Sequence, residues 1–396
     1  MTDVVIASAC RTPIGKFQGS LAGFTAPQLG TFAASEAIRR AGLQPEQIDE
    51  TILGNVLGAG LGQAPARQVS RAAGIPDHTA ALTINKVCGS GLKAVMLAAQ
   101  AIKCGDSEVV LAGGMESMSN APYIVPKARD GMRLGHAEII DSMIADGLWD
   151  PYYDMHMGLT GEAVSEKYEV SREAQDEWAA ESHRRAVEAI NSGAFKAEIA
   201  PVEIKPRKKD PWSFDTDEGP RDDVTAQGLG KLRPAFQRDG GTVTAGNASS
   251  INDGAAATVV MSAEKAAQLG VKPLAKITGY ATGGMDPKWV MMAPVEAVKK
   301  LNARTGASMA DYDLIELNEA FATQCCAVRN IWDVPAEKVN VNGGAVALGH
   351  PIGASGARVL TTLIHALRAR GGKNGLATLC LGGGNAVAMS VEVLPG

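Results

Sequence analysis

Short apolar runs alternate with stretches of helical periodicity at both ends of the chain. Residues 4–9 read as a strand, and residues 27–41 as a helix with Leu29, Phe32, Ala33 and Ala37 on one face and Gly42 as its stop. Strands follow at 51–56, 83–87 and 108–112; the second runs into Cys88-Gly89-Ser90-Gly91. A helical pattern over 92–103 ends at Gly105. The rhythm returns later, with strands at 255–261, 274–280, 314–317, 376–381 and 386–391, and a short strand or extended turn at 339–341. Helical patterns cover 263–269, 295–303, 319–330 and 353–370. Strands alternating with helices of this length predict a mostly parallel α/β sheet. Asn85 to Leu92 and Gly349 to Ala357 echo each other, each a Gly-rich turn opening a small-residue helix. Two copies of one α/β unit would explain the length.

The middle differs. From 120 to 246 the chain is richer in Met, aromatics and charge, with one strong helix between the N-cap Ser171 and Gly193. Residues 205–239 carry Lys205, Arg207, Lys208, Lys209, Arg221, Lys231, Arg233 and Arg238 among seven acids. Much of this is solvated surface, with room for one basic pocket. The division is 1–119 with 247–270, an inserted 120–246, and 271–396.

Composition narrows the classes. Glycine is 45 of 396 residues, above the usual ~7%, which suits tight turns and excludes a disordered or coiled-coil chain. A net charge of −5 argues against a nucleic-acid binder. No run approaches the ~18 apolar residues of a spanning helix, and the start lacks a secretion signal. A cytoplasmic protein without membrane or nucleic-acid partners is expected. Cysteines at 10, 88, 104, 325, 326 and 380 fit neither a disulfide framework nor a zinc site, and no metal or resident cofactor is expected.

Four positions carry candidate chemistry. Cys88 opens a helix, where the dipole and free N–H groups favour a thiolate. His350 stands on a loop fixed by Pro351 and glycines, where a structural turn histidine would also fit. Cys380 ends an apolar strand, and alone suits a core cysteine. Asn318 and Glu319 join a strand to a helix, where Asn318 could simply cap. Together, Cys, His, Asn and a second Cys at strand-to-helix turns suit acyl transfer.

The same residues resemble the thiolase family along essentially the whole chain. Asn85-Lys-Val-Cys88-Gly-Ser-Gly is similar to its nucleophile motif, Asn318-Glu-Ala-Phe-Ala to NEAF, Gly349-His350-Pro-Ile-Gly-Ala-Ser-Gly to GHP, and Cys380-Leu-Gly-Gly-Gly to CxGGG. Arg11-Thr-Pro-Ile-Gly and Gly113-Gly-Met-Glu-Ser-Met-Ser match as well. The resemblance implies a five-layered αβαβα fold of two similar halves with an inserted loop domain. It implies a reversible Claisen condensation of two acetyl-CoA to acetoacetyl-CoA and CoA. Cys88 would hold the acyl group, His350 take its proton, and Cys380 move the α-proton of the second substrate. Asn318, through a water, and His350 would hold the enolate oxygen; the N–H groups of Cys88 and Gly382 would hold the acyl-step oxyanion. Coenzyme A would be substrate and product.

By the same resemblance, 120–246 would bind CoA, with Arg221 at the adenine nucleotide and Ser249, His156, Met157, Leu148 and Phe321 along the pantetheine tunnel. His156-Met157-Gly158 is similar to the short-chain biosynthetic subgroup. A surface charge, a turn serine and a core histidine are the plain alternatives for Arg221, Ser249 and His156. Residues 123–143 resemble the loop that forms a homotetramer, although some members are dimers. Departures are Gly161 for Ala, Ser250 for Gly, Leu381 for Ile, and Trp289-Val-Met-Met-Ala-Pro without glycines. That last segment leaves open a degradative 3-ketoacyl-CoA thiolase of broader chain length. Cys380 argues against a ketoacyl synthase, and the intact Cys88, His350 and Cys380 against a silent lipid-binding protein.

Overall fold

The structure is a computed structural model that describes residues 2–206 and 210–395; Arg207, Lys208 and Lys209 of the basic stretch lie outside the described residues. The first half supplies strands β1 (Val4–Arg11), β2 (Glu50–Gly54) and β3 (Ala80–Ile84), with helix α1 (Ala26–Arg40). Helix α2 (Ser90–Cys104) and strand β4 (Val109–Ser117) follow. The segment from 118 to 251 stays out of the large sheet and carries helices α3 (Met157–Lys167) and α4 (Arg172–Ser192). Strand β5 (Asn252–Ser262) then returns to the sheet. The second half holds β6 (Ala275–Gly284), α5 (Ala293–Thr305), β7 (Leu314–Leu317), α6 (Ala322–Trp332), α7 (Ile352–Arg370), β8 (Asn374–Leu381) and β9 (Asn385–Val393).

The strands run in the order β7-β8-β9-β6-β1-β5-β4-β2-β3. The centre is the antiparallel β6–β1 pair, with Val5 opposite Lys276 and Ile6 opposite Ala275. On each side the same sequence of strands recurs, and Val339, pairing in parallel with Ile315, stands where β3 stands in the first half. The expected echo is therefore a structural repeat. The sheet is mixed, not mostly parallel as the alternation predicted: β2 with β3 and β4, and β7 with β8, are parallel, whereas β1–β5, β4–β5, β6–β9 and β8–β9 are antiparallel.

Strands β1, β4 and β5 are buried along their length, as a sheet covered on both faces requires. One apolar cluster joins α2 and α7 to strands of both halves. A second packs α1 on the outside of the first half, and a third packs α5 and α6 on the outside of the second. Helix, sheet, paired helices, sheet, helix makes five layers.

The central helices meet at backbone distance. A Cβ on Gly91 would lie 2.7 Å from the Ala357 nitrogen, and one on Gly356 would lie 2.3 Å from that of Leu92. Larger residues would force α2 and α7 apart. Because both cross near their first turns, the residues just before each helix, Cys88 and His350, are brought together. The stretch Val87–Cys104 is long and apolar enough to match a membrane span by composition, but 56% of it is buried inside the protein as this central helix.

Three local expectations need correction. Strand β3 stops at Ile84, and Val87 turns with φ 46°, a costly conformation for a β-branched residue. Helix α6 starts at Ala322 rather than Glu319, whose φ is 61°. Asn318 therefore caps nothing; the N-cap is Phe321. Helix α3 was not expected at all, since its glycines and short polar residues blur the period. By contrast α4 begins at Ser171, whose Oγ accepts from the Ala174 N–H, and ends at left-handed Gly193.

Candidate active site

A cavity of about 710 Å³ opens between the two halves and the inserted segment. Cys88, His350, Cys380 and Gly382 line it, with Leu148, His156, Met157, Ser249, Phe321 and Arg221. Asn318 and Glu319, also singled out from the sequence, are off its wall.

The histidine is held from several sides. Gly349 has φ 105°, and a Cβ there would lie 2.3 Å from the Asn252 carboxamide, so this turn requires glycine. Asn252 Oδ1 accepts the His350 N–H at 3.0 Å. Glu116 accepts the Gly353 N–H at 2.9 Å and the Val56 and Leu57 N–H groups at 3.0 and 3.1 Å, tying α7 to the end of β2.

The ring's tautomer follows from its neighbours. Ser355 Oγ lies 2.6 Å from His350 Nδ1 and 2.9 Å from the Pro351 carbonyl oxygen. A carbonyl only accepts, so the single Ser355 proton goes to Pro351. The Ser355 oxygen then accepts from Nδ1–H, and Nε2 carries the lone pair. Burial, reinforced by the Arg358 charge, pushes the imidazole down to about 3. His350 is thus a neutral base at physiological pH.

Both thiols are protonated at rest. Burial pushes Cys88 up to about 12, against lowering hydrogen bonds with the Gly382 and Cys88 backbone. This corrects the expectation of a thiolate at the helix end: desolvation outweighs the dipole. Burial and the nearby Cys88 push Cys380 well above the usual thiol range. Proton transfer within the site would give a thiolate and an imidazolium as a pair, whereas in the free enzyme the thiolate fraction follows bulk pH. Alkylation of the free enzyme by iodoacetamide is expected to rise about tenfold per pH unit up to about pH 10. A plateau near neutrality would mean that the helix end prevails.

Asn318 is fully buried behind the histidine. Its Nδ2 lies 3.2 Å from Nδ1 and 3.4 Å from Nε2 of His350. Its neighbour Glu319 turns the other way and accepts from Trp178 Nε1 at 3.0 Å, Ser182 Oγ at 2.7 Å and Asn340 Nδ2 at 2.8 Å. It thereby pins α4 of the inserted segment to the second half.

The tunnel is built by the inserted segment. His156 N-caps α3, its Nδ1 accepting the Gly158 N–H at 3.1 Å, and stacks on Phe236 with ring centroids 4.7 Å apart. Burial keeps this imidazole below its ordinary range. The Ser249 N–H donates to the Ala320 carbonyl at 3.0 Å, bringing the 245–250 loop beside Phe321. Arg221 is exposed at the outer end, its N–H donating to His183 Nδ1 at 3.2 Å. Sequence reasoning missed Phe236, His183, Lys16 and Phe17 on the same wall, which carry no motif. It also missed Ser355 and Arg358, although both are polar interruptions of an apolar helical face.

Two family models match the chain: the N-terminal domain of thiolase over residues 4–264 and the C-terminal domain of thiolase over 271–393. An acetyl-CoA acetyltransferase of Pseudomonas aeruginosa is 55% identical over 391 residues, covering 99% of each chain. One of Cupriavidus necator is 55% identical over 392 residues, 99% of this chain and all of that one. The crystal structure of the acetyl-CoA acetyltransferase of Bacillus anthracis superposes with a TM-score of 0.97 at 47% identity, over 100% of this chain and 99% of that one.

Proposed function

The chain belongs to the thiolase family, and we infer that it catalyses the reversible condensation of two acetyl-CoA to acetoacetyl-CoA and CoA. The observation that carries the inference is the convergence of two thiols and a neutral imidazole on one cavity.

In the first half-reaction His350 Nε2 takes the Cys88 proton, and the sulfur attacks the thioester carbon. The oxyanion is held by the N–H groups of Cys88 and Gly382. Its collapse expels CoA, whose sulfur takes the proton of Cys380. The acyl-enzyme then holds one charge pair, a Cys380 thiolate and a His350 imidazolium. Proton balance requires this order, because a thiol held well above neutral pH becomes a base only after giving its proton away. In the second half-reaction Cys380 takes the α-proton of the second acetyl-CoA. The enolate oxygen rests on His350 Nε2–H and on Asn318, through a water. The carbanion attacks the Cys88 thioester, and the released Cys88 sulfur recovers its proton from His350. Every group ends where it started.

CoA would lie along the inserted segment 120–246, with Arg221 at the nucleotide and Ser249, His156, Met157, Leu148 and Phe321 along the arm. The acyl end of the cavity supports a short chain. Val290 and Met291 line the cavity, 3% and 2% exposed. Met291 Cε lies 3.3 Å from where a Cβ on Gly161 would stand, so the larger side chain uses the room left by the glycine. CoA-dependent cleavage is expected to favour acetoacetyl-CoA over 3-ketooctanoyl-CoA and 3-ketohexadecanoyl-CoA by about a hundredfold or more. Comparable rates on the longer chains would favour the degradative alternative and point to residues 289–294.

The same reading gives a cytoplasmic homotetramer. Support for the assembly comes from the 123–143 loop, where Tyr123, Met132, Leu134 and Ile139 are 65%, 60%, 100% and 68% exposed. A subunit contact would cover these apolar side chains.

A further inference from the structure

Helix α7 is buried almost throughout, and three of its polar residues, Ser355, Arg358 and Thr362, fall three and four positions apart, on one face. Ser355 orients His350, as described above. Thr362 Oγ1 donates to Glu198 Oε1 at 3.1 Å. Arg358, 2% exposed, reaches strand β7 with both ends of its fork. One terminal nitrogen donates to Glu316 Oε2 and the other to Asn318 Oδ1, each at 3.2 Å. Glu316 and Asn318 are two apart on one face of extended chain, so a single guanidinium spans both. Among the described residues Arg358 Nε has no partner; the bonds that place this side chain are those of its fork.

We propose that Arg358, paired with Glu316, is a positioning residue that fixes the carboxamide of Asn318 with its NH₂ toward His350 and the water between it and the reacting oxygen. The proposal deepens the function inferred above and rests on Asn318 serving the enolate. An arginine has no acceptor. With Oδ1 on the guanidinium, the amide NH₂ must face His350. The flipped amide would set donors against donors at Arg358 in a buried site, and would turn a lone pair toward the water through which Asn318 serves the enolate oxygen. Arg358 thus selects the sign of the dipole at the oxyanion position, which a passive packing residue does not do. Glu316, 1% exposed, is what allows the cation to be buried there. The chain order is economical: α7 begins beside His350 and carries, within two turns, the groups that orient both donors to the enolate.

Two variants test this. Arg358→Met with Glu316→Leu removes both charges together, leaving none unpaired in the core. Arg358→Lys keeps the charge but not the planar fork. For each, folding is followed by near-ultraviolet circular dichroism, acylation by the burst of CoA released from acetyl-CoA, and condensation by steady-state kinetics. Asn318→Ala is measured alone and in both backgrounds. The expected result in either folded variant is a condensation kcat about a hundredfold lower, the loss usual for one oxyanion donor. KM and the acylation rate should stay within about threefold, and Asn318→Ala should cost little more on top. Condensation within about threefold of the parent overturns the proposal. So does an equal fall in both half-reactions, or a loss that multiplies with that of Asn318→Ala. If Asn318→Ala alone leaves condensation intact, the role given to Asn318 falls and this proposal with it; if Asn318→Ala is slow while the Arg358 variants are not, only this proposal falls.

Discussion

Mixed with acetyl-CoA, the Cys380→Ala enzyme is expected to release about one CoA per active site and then stop. The acyl-enzyme forms because Cys88, His350 and the backbone donors remain. It forms more slowly than in the parent, since water must protonate the departing CoA, a thiol of ordinary pKa near ~8.5. The second half-reaction has no base. Loss of a positioned general base typically costs about 10²- to 10⁴-fold, and here the α-proton is weakly acidic, so steady-state condensation should fall by at least ~10³-fold. Cys380 is a small buried side chain, 6% exposed; its truncation costs about 1 kcal/mol of stability and leaves the protein folded. Rapid-quench measurement of CoA release separates burst from turnover. Condensation near the parent rate would remove Cys380 from the mechanism.

Cys88→Ala should lose both. No acyl-enzyme forms, the burst disappears, and turnover falls by about 10⁴-fold or more, because the covalent path has no substitute. Binding of acetyl-CoA should stay within a few-fold, since the surfaces proposed to hold CoA lie along the inserted segment, away from the sulfur. Isothermal titration beside quench kinetics gives both numbers. Retained turnover would mean another nucleophile.

Much of the layout was legible in the chain. The N-cap Ser171 and the stop Gly193 bound α4 as local chemistry dictates, and the 263–269 helix and 314–317 strand stand where periodicity put them. The two helices satisfy their own backbone groups within a few residues, whereas the 314–317 strand pairs with residues 375–378 and was visible by its apolar run alone. The echo between the two Gly-rich turns was visible because each must let a backbone pass close by. What failed was set by distant partners. Val87 and Glu319 adopt positive φ, against their local preference, because the turns they make are fixed by the packing of α2 on α7 and by the buried pocket around Glu319. The edge-to-edge joining of β1 and β6 is likewise a pairing that no local pattern encodes.

The electrostatics were the least legible part. Seen as sequence, Cys88 heads a helix and should ionise easily. In the fold burial pushes its thiol up and the His350 imidazole down, and the mechanism proposed above therefore couples proton transfer to attack. The tautomer of His350 depends on Ser355, five residues on, and the face of Asn318 depends on Arg358, forty residues on. Both are readable as polar residues in an apolar helix, but their partners appear only once α7 is laid against β7.

The most direct measurement locates the acetyl group. Enzyme mixed with isotopically labelled acetyl-CoA is quenched in acid, digested and mapped. The label should sit on the peptide containing Cys88, at up to about one per chain, and leave when CoA is added before the quench. Label on the Cys380 peptide or on the exposed Cys104, or no thioester at all, would contradict the assignment of Cys88 as nucleophile.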